Sequence, residues 1–156
     1  RVYKDRWLRA KENGSAVLAR GFLDRAIDAY TKGFETDWRD AYPGINAVTL
    51  LEIAEPEDPR IQNLLPVVRY AVERRLARGE PDYWDYATLL ELAVIARDEH
   101  AAADALTSAL AAVRESWAPE STANNLRMIR EAREARGQTL PWTEEVEREL
   151  LGVAVA

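Results

Sequence analysis

The sequence predicts an all-α protein built from antiparallel helical hairpins, and three observations carry that reading. Apolar residues recur at three- and four-residue steps along most of the 156 residues, which places them on one face of a helix. Proline and glycine fall where these stripes begin and end. Proline is tolerated in a first helical turn, and glycine suits the position just past a last one. No segment alternates apolar and polar residues between turn signals, so no strand is expected.

Taken in order, Val2, Trp7 and Leu8 form the apolar side of a first helix from Arg1 to about Lys11, which Gly14-Ser15 breaks. A second helix is expected from about Gly21 to Thr36, presenting Phe22, Ala26, Tyr30, Gly33 and Phe34. Small Ala26 and Gly33 beside Tyr30 allow a neighbouring helix to come close. A third begins near Asp40 and runs to Ala54, with Pro43 in its first turn, where a missing N–H costs nothing. Asp58 can cap a fourth, with Pro59 at its first position. Ile61, Leu64, Leu65, Val68, Ala71, Val72 and Leu76 form its stripe before Gly79. Pro66 removes one hydrogen bond inside that stretch and predicts a kink there or a later start.

Pro81 opens a fifth helix, which from Tyr83 to Ala96 is apolar nearly all round and is therefore expected to be central and buried on several sides. After a turn near Asp98, Ala103, Leu106, Leu110, Val113 and Trp117 make a narrower stripe, that of a half-exposed partner. Pro119 starts the next helix, carrying Leu126, Met128, Ile129, Ala132 and Ala135. Arg133 and Arg136 lie in its last turn, with Gly137 beyond. A short last helix runs from about Thr143 to Leu151, anchored by Trp142. Trp38 and Trp117 follow helix ends and are expected to seal junctions between hairpins. Hairpins of about 35 to 40 residues match the period of helical solenoids, in which no single unit buries its own apolar face.

Composition bounds the function. With 47% apolar and 31% charged residues the chain is expected to fold as one unit over 1–156. No apolar stretch approaches the roughly 20 residues needed to cross a bilayer, and no signal-peptide pattern is present, so no membrane is expected. The absence of cysteine excludes disulfides and thiolate metal sites and fits a reducing compartment, making the cytoplasm the expected location. A net charge of −6 opposes binding to phosphate backbones, so nucleic acid is not expected as a partner. Arg1 enters a helix without an initiator Met, and Gly152-Val153-Ala154-Val155-Ala156 form a tail without a stop signal; the chain reads as an excerpt of a longer protein.

Catalytic constellations are absent. His100 is the single histidine, which leaves no Cys/His dyad and no multi-histidine metal site and gives it a structural or surface role. The glycines are scattered at helix breaks, so neither a phosphate loop nor a dinucleotide motif is formed and no cofactor is expected. Glu52, Glu55, Glu57 and Asp58 cluster near a turn. Catalytic carboxylates need a cleft and separated pKa values, so these read as solvated groups, and the chain is not expected to be an enzyme.

The segment Gly21-Phe22-Leu23-Asp24-Arg25-Ala26-Ile27-Asp28-Ala29-Tyr30-Thr31-Lys32-Gly33-Phe34-Glu35 resembles the second helix of a tetratricopeptide repeat, with small-large-small residues at matching spacings. A wider resemblance is carried by Arg1-Val2-Tyr3-Lys4-Asp5, Ala26-Ile27, Tyr30, Lys32-Gly33-Phe34-Glu35, Tyr42-Pro43-Gly44-Ile45-Asn46, Leu50-Leu51 and Tyr83-Trp84-Asp85. Asn125-Leu126 and Ile129-Arg130 add to it. With these residues the chain resembles the TRAF-binding, repeat-containing central region of the apoptosis signal-regulating kinases, a family with bacterial relatives. The resemblance implies tetratricopeptide-like antiparallel hairpins stacked as a right-handed α-solenoid. It also implies a noncatalytic regulatory scaffold that recruits protein partners and is attached to other domains. No kinase sequence is present in the chain, and its alanine- and arginine-rich composition is closer to a bacterial relative.

Seven residues stand out as candidates for contact with a partner: Tyr42, Asn46, Tyr83, Trp84, Asp85, Arg127 and Arg130. In a tetratricopeptide groove an Asn such as Asn46 can clamp a peptide backbone; the favoured reading is instead a helix start where Gly44 permits close packing and Asn46 satisfies buried backbone groups. Tyr83, Trp84 and Asp85 suit either an interface or an inter-repeat wedge, again with packing favoured. Arg127, Arg130, Arg133 and Arg136 recur every three residues with Glu131 and Glu134 between them, either a basic stripe for an acidic partner or a solvated face of local ion pairs. The second is preferred. The alternative to an interaction module is a structural spacer or self-association domain, with Val153-Ala154-Val155 as an edge that pairs with a copy of itself.

Overall fold

A computed structural model describes residues 1–155, with side chains over 1–153. Among the described residues every regular element is helical: α1 (Val2–Glu12), α2 (Ala16–Thr36), α3 (Ala41–Ala54), α4 (Pro59–Ala77), α5 (Tyr83–Ile95), α6 (Glu99–Ala111), α7 (Trp117–Ala135) and α8 (Pro141–Val155). The all-α expectation is met. Contacts divide the chain into two compact units, 1–68 and 69–156, with α4 contributing to both.

In the first unit α2 packs against both α1 and α3. Leu23, Ala26, Ile27, Tyr30 and Phe34 recur along α2 at helical spacing and are buried, as are Trp7 and Ala10 of α1. Nearly the whole of α3 from Gly44 to Glu52 is buried, which a single apolar stripe did not foretell. Asp40 caps it, accepting a hydrogen bond from the Tyr42 N–H at 3.1 Å. Two glycines permit the close approach of α3. A Cβ at Gly33 would lie 3.4 Å from Pro43 Cβ, ordinary contact. One at Gly44 would lie 2.6 Å from Val68 Cγ2 and 2.8 Å from Phe34 Cδ1, closer than any side chain tolerates.

In the second unit α5 packs against α6 and α7 against α8, and these pairs meet through α5 on α7 and α6 on α8. Asp82 and Asp85 form a reciprocal capping box at the start of α5. Downstream, α5 buries Leu90 through Ile95 continuously, as expected of a central helix. The inward side of α6 is made of alanines, Ala102, Ala105 and Ala109, so it can lie close to its neighbours.

The ends of α1, α7 and α5 share one pattern. The Ser15 N–H donates to Ala10 O, and the Gln138 N–H to Arg133 O, each at 2.9 Å; the intervening Gly14 and Gly137 take φ of 71° and 78°. The α5–α6 turn has the same arrangement, with the Asp98 N–H donating to Ala93 O at 2.9 Å, but its left-handed residue is Arg97 at φ 58°. A side chain there is strained.

Several boundaries differ from expectation. The second helix begins at Ala16, one turn ahead of Gly21, because its first turn is exposed and lacks the core stripe. Pro81 precedes α5 instead of opening it, since Asp82 takes the cap. Val113 lies beyond α6, and Trp117, not Pro119, starts α7. Pro66 lies within α4, with no later start to the helix. Trp38 and Trp117 are each more than half exposed and do not seal junctions. The expected self-pairing edge Val153-Ala154-Val155 lies largely outside the residues whose side chains are described.

Three stability measurements follow from the glycines and the strained turn. Gly44→Ala forces Phe34 and Val68 apart and should destabilise by about 1–3 kcal/mol in urea unfolding. Gly21→Ala, where a Cβ meets nothing within 4 Å, should stabilise by about 0.5–1 kcal/mol. Arg97→Gly relieves the left-handed side chain and should raise stability by about 1 kcal/mol, less the exposed Arg97–Gln138 hydrogen bond. A loss of stability at Arg97→Gly would show that the side chain's contacts outweigh the backbone strain.

Candidate protein-interaction site

The Tyr42 and Asn46 pair sits at the start of α3. Asn46 is buried; its amide donates to Tyr42 O at 2.9 Å and its Oδ1 accepts from Lys4 Nζ at 3.2 Å, which ties α3 to α1. The Tyr42 ring is exposed and stands edge-on to Tyr30 at 6.3 Å. Burial and the neighbouring Tyr42 raise the Tyr30 pKa above its ordinary value, so it stays protonated. Asn46 is thus occupied within the fold, and Tyr42 presents a ring to solvent.

The Tyr83-Trp84-Asp85 segment separates into three roles. Tyr83 is buried, its hydroxyl donating to Thr122 Oγ1 of α7 at 2.7 Å, and burial raises its pKa. Asp85 is buried and fully used: it accepts from the Asp82 N–H at 3.0 Å and from Arg75 Nε at 2.7 Å. Trp84, between them, is 43% exposed. It crosses the Tyr83 ring at 82° with centroids 5.1 Å apart, and meets Trp117 at 5.7 Å with a tilt of 42°. Trp117 is itself 57% exposed. The first residues of α5 and α7 therefore present two tryptophans side by side, Trp84 backed by a buried, hydrogen-bonded tyrosine and Trp117 resting against Trp84.

The arginine series is not one stripe. Arg127 is exposed and pairs with Glu131 at 3.8 Å, a local ion pair of little energy. Arg130 reaches α8, donating through Nε and Nη2 to Glu147 at 2.7 and 3.1 Å; this pair raises the Arg130 pKa further above its ordinary value. Arg133 is 3% exposed and donates to the Val94 and Ile95 carbonyls at 2.8 and 3.0 Å. It occupies the C-terminal end of α5, where carbonyls lack helical partners and the dipole favours a cation. The solvated-face expectation therefore fits Arg127 and fails for Arg133.

Glu52 is buried within α3 rather than solvated, so the acidic cluster it was grouped with is not one surface feature. Of the others, Glu55 pairs with Arg20, and Asp58 pairs with Arg60 at 2.9 Å, which holds the Asp58 carboxyl below the usual range. His100 is exposed beside Asp104 at 3.6 Å. Among the described residues no cluster of metal-ligating side chains occurs, and no helix is long and apolar enough to cross a membrane. Two shallow grooves of about 220 and 230 Å³ are present, one on α1–α2 and one lined by Tyr86, Leu89 and Ala101. Neither holds two carboxylates. The polar tie of Asn125 Nδ2 to buried Glu91 at 3.1 Å was missed in sequence, as was the Arg133 cap. A lone polar residue on an apolar helix face is the signal that could have found both.

Helical hairpins whose conspicuous polar residues are largely spent on packing, with several aromatics left exposed, define an all-α helical-hairpin class. The chain belongs to the MAP3K TRAFs-binding domain family, whose model matches residues 1–148. It is similar to the mitogen-activated protein kinase kinase kinase nsy-1 of Caenorhabditis elegans, at 29% identity over 133 residues. The match covers 83% of this chain and 8% of that protein, so the chain spans a small part of its relative's length. No solved structure matches it.

The Arg133 cap yields a direct test. Arg133→Ala should cost about 3 kcal/mol, from two charge-assisted hydrogen bonds lost at a buried helix end, whereas Arg127→Ala should change stability by no more than about 0.5 kcal/mol. Chemical denaturation of both variants checks this, and equal costs would refute the assignment.

Proposed function

We propose that this chain is a noncatalytic protein-interaction module that regulates attached domains, and that the Trp84/Trp117 pair is its contact surface. The single observation supporting this is the paired exposure of two tryptophans on a rigid base. Tryptophan is enriched among the residues that dominate binding energy, and here Trp84 packs on Tyr83, itself hydrogen-bonded to Thr122, and Trp117 packs on Trp84, so that little ordering is lost on contact. The family's description supplies the partner class, TRAF proteins. Pairing of α5 with α6 and α7 with α8 supports tetratricopeptide-like hairpins over that stretch; a right-handed stack, within one module in the cytoplasm, is part of the same proposal. In this reading Tyr42 and Arg127 stay exposed to solvent, while Asn46, Tyr83, Asp85 and Arg130 hold the scaffold. A spacer that only positions an effector would gain nothing from the exposed pair.

Titration of the chain with purified TRAF proteins, followed by tryptophan fluorescence and calorimetry, tests the proposal. The Trp84→Ala/Trp117→Ala variant should bind about tenfold or more weakly while its unfolding midpoint stays close to that of the parent. A chain that engages no TRAF protein, or a double variant with undiminished affinity, would sink this reading.

A further inference from the structure

Helix α2 carries two apolar stripes, and the core uses only one. Leu23, Ala26, Ile27, Tyr30 and Phe34 face inward. On another side, Val17, Leu18, Gly21 and Phe22 line a shallow open groove of about 220 Å³ together with Tyr3 of α1. Val17 is 88% and Leu18 57% exposed, so two aliphatic side chains stand in water at adjacent positions. Gly21 sits between them and Phe22 with nothing within 4 Å of where a Cβ would project. No packing demand inside the chain explains a glycine there, and a helix interior disfavours it. An open glycine keeps the groove floor low for something that lies across it.

The charge around the groove is one-sided. Arg25 lines it, and the Arg6 guanidinium stands 5.9 Å from the Phe22 ring centroid. Among the described residues no carboxylate pairs with either arginine. The first twelve residues hold Arg1, Lys4, Arg6, Arg9 and Lys11 against Asp5 and Glu12, in a chain of net charge −6. A basic rim on an apolar groove is complementary to a segment with apolar residues along one face and carboxylates beside them.

We propose that this groove receives an amphipathic helix of a partner protein, its apolar residues resting on Val17, Leu18 and Phe22 and its flanking Asp or Glu residues pairing with Arg6 and Arg25. The mode is a helix laid into a groove between two helices. A second copy of the chain docking by the same face is disfavoured, because a two-fold contact would set Arg6 and Arg25 against themselves. An anionic lipid surface is disfavoured too, since Phe22 is half-buried beneath Arg6 instead of projecting from a convex face. The site lies in the first unit and stands independently of the Trp84/Trp117 surface.

Three synthetic helical peptides about five turns long, sharing one Leu/Phe stripe but flanked by Glu, Gln or Lys, make the test with the 156-residue chain. Calorimetry should show saturable binding, with the Glu peptide about tenfold tighter than the Gln peptide and the Lys peptide weakest. The Arg6→Glu/Arg25→Glu variant should invert that order, and Val17→Glu should weaken the Glu and Gln peptides about tenfold or more. All these positions are exposed, so thermal melts should match the parent and separate lost binding from lost folding. Equal affinities for the three peptides, no saturable binding, or an unchanged order in the charge-reversed variant would overturn the proposal. So would self-association that Val17→Glu abolishes, or tighter binding to phosphatidylserine vesicles than to the Glu peptide.

Discussion

The buried guanidinium of Arg133 governs the second unit. A cation enclosed to this degree is stable only where its charge and donors are met, and the Val94 and Ile95 carbonyls at the end of α5 meet them. The requirement sets α7 beside α5 in one register. Thr122 then falls at Tyr83, and Asn125 at Glu91, so polar ties recur from one end of the parallel pair to the other. Trp84 and Trp117 meet at the far end because the helices start level with each other. The candidate surface is thus a consequence of a contact at the opposite end of the same two helices.

The first unit reaches close packing by a different route. There the deeply buried helix is α3, and the device is subtraction: Gly44 leaves room for Phe34 and Val68, and Gly33 receives Pro43. Polar ties mark its start, where Asp40 caps and Asn46 joins Tyr42 to Lys4, and Thr49 and Glu52 are buried further along it. Glycine contacts specify distance, whereas hydrogen-bonded side chains specify register. The two buried helices α3 and α5 look alike in sequence, both apolar on almost every side, yet are located by unlike means.

That difference sets what the sequence could reveal. Fold class was legible because period and breakers agree from Val2 to Leu151, and the Pro43-Gly44 reading was legible because a small residue in an apolar run has one steric use. The Arg127 to Arg136 series was misleading. A three-residue step falls short of a helical turn by about 60° each time, so four such residues spiral round the helix and enter different surroundings. Arg133 reaches the core, Arg130 reaches Glu147, and Arg127 stays in water. The start of α2 was hidden for a related reason: Val17 and Leu18 belong to a stripe the core does not use, so periodicity toward the core begins only at Leu23. Exposure of Trp38 and Trp117 was equally out of reach, since size and hydrophobicity give no direction until neighbouring helices are placed.

The division between occupied and unoccupied groups separates scaffold from surface. Asn46, Tyr83, Asp85 and Arg130 each have partners that would have to be surrendered before a ligand could use them, and a buried group stripped of its partner costs on the order of 1–3 kcal/mol. Binding through them would therefore begin with a loss. Trp84 and Trp117 surrender only water, and burying apolar surface from water is favourable in proportion to area. Trp84 is fixed at a capped helix start against Tyr83, and Trp117 rests against Trp84, so the surface is already in its binding arrangement before a partner arrives. A partner reading this face would contact α5 and α7 together, and any change in their register, which Arg133 holds, would part the two rings. Recognition at the aromatic end is in this way coupled to the integrity of the buried cap at the other.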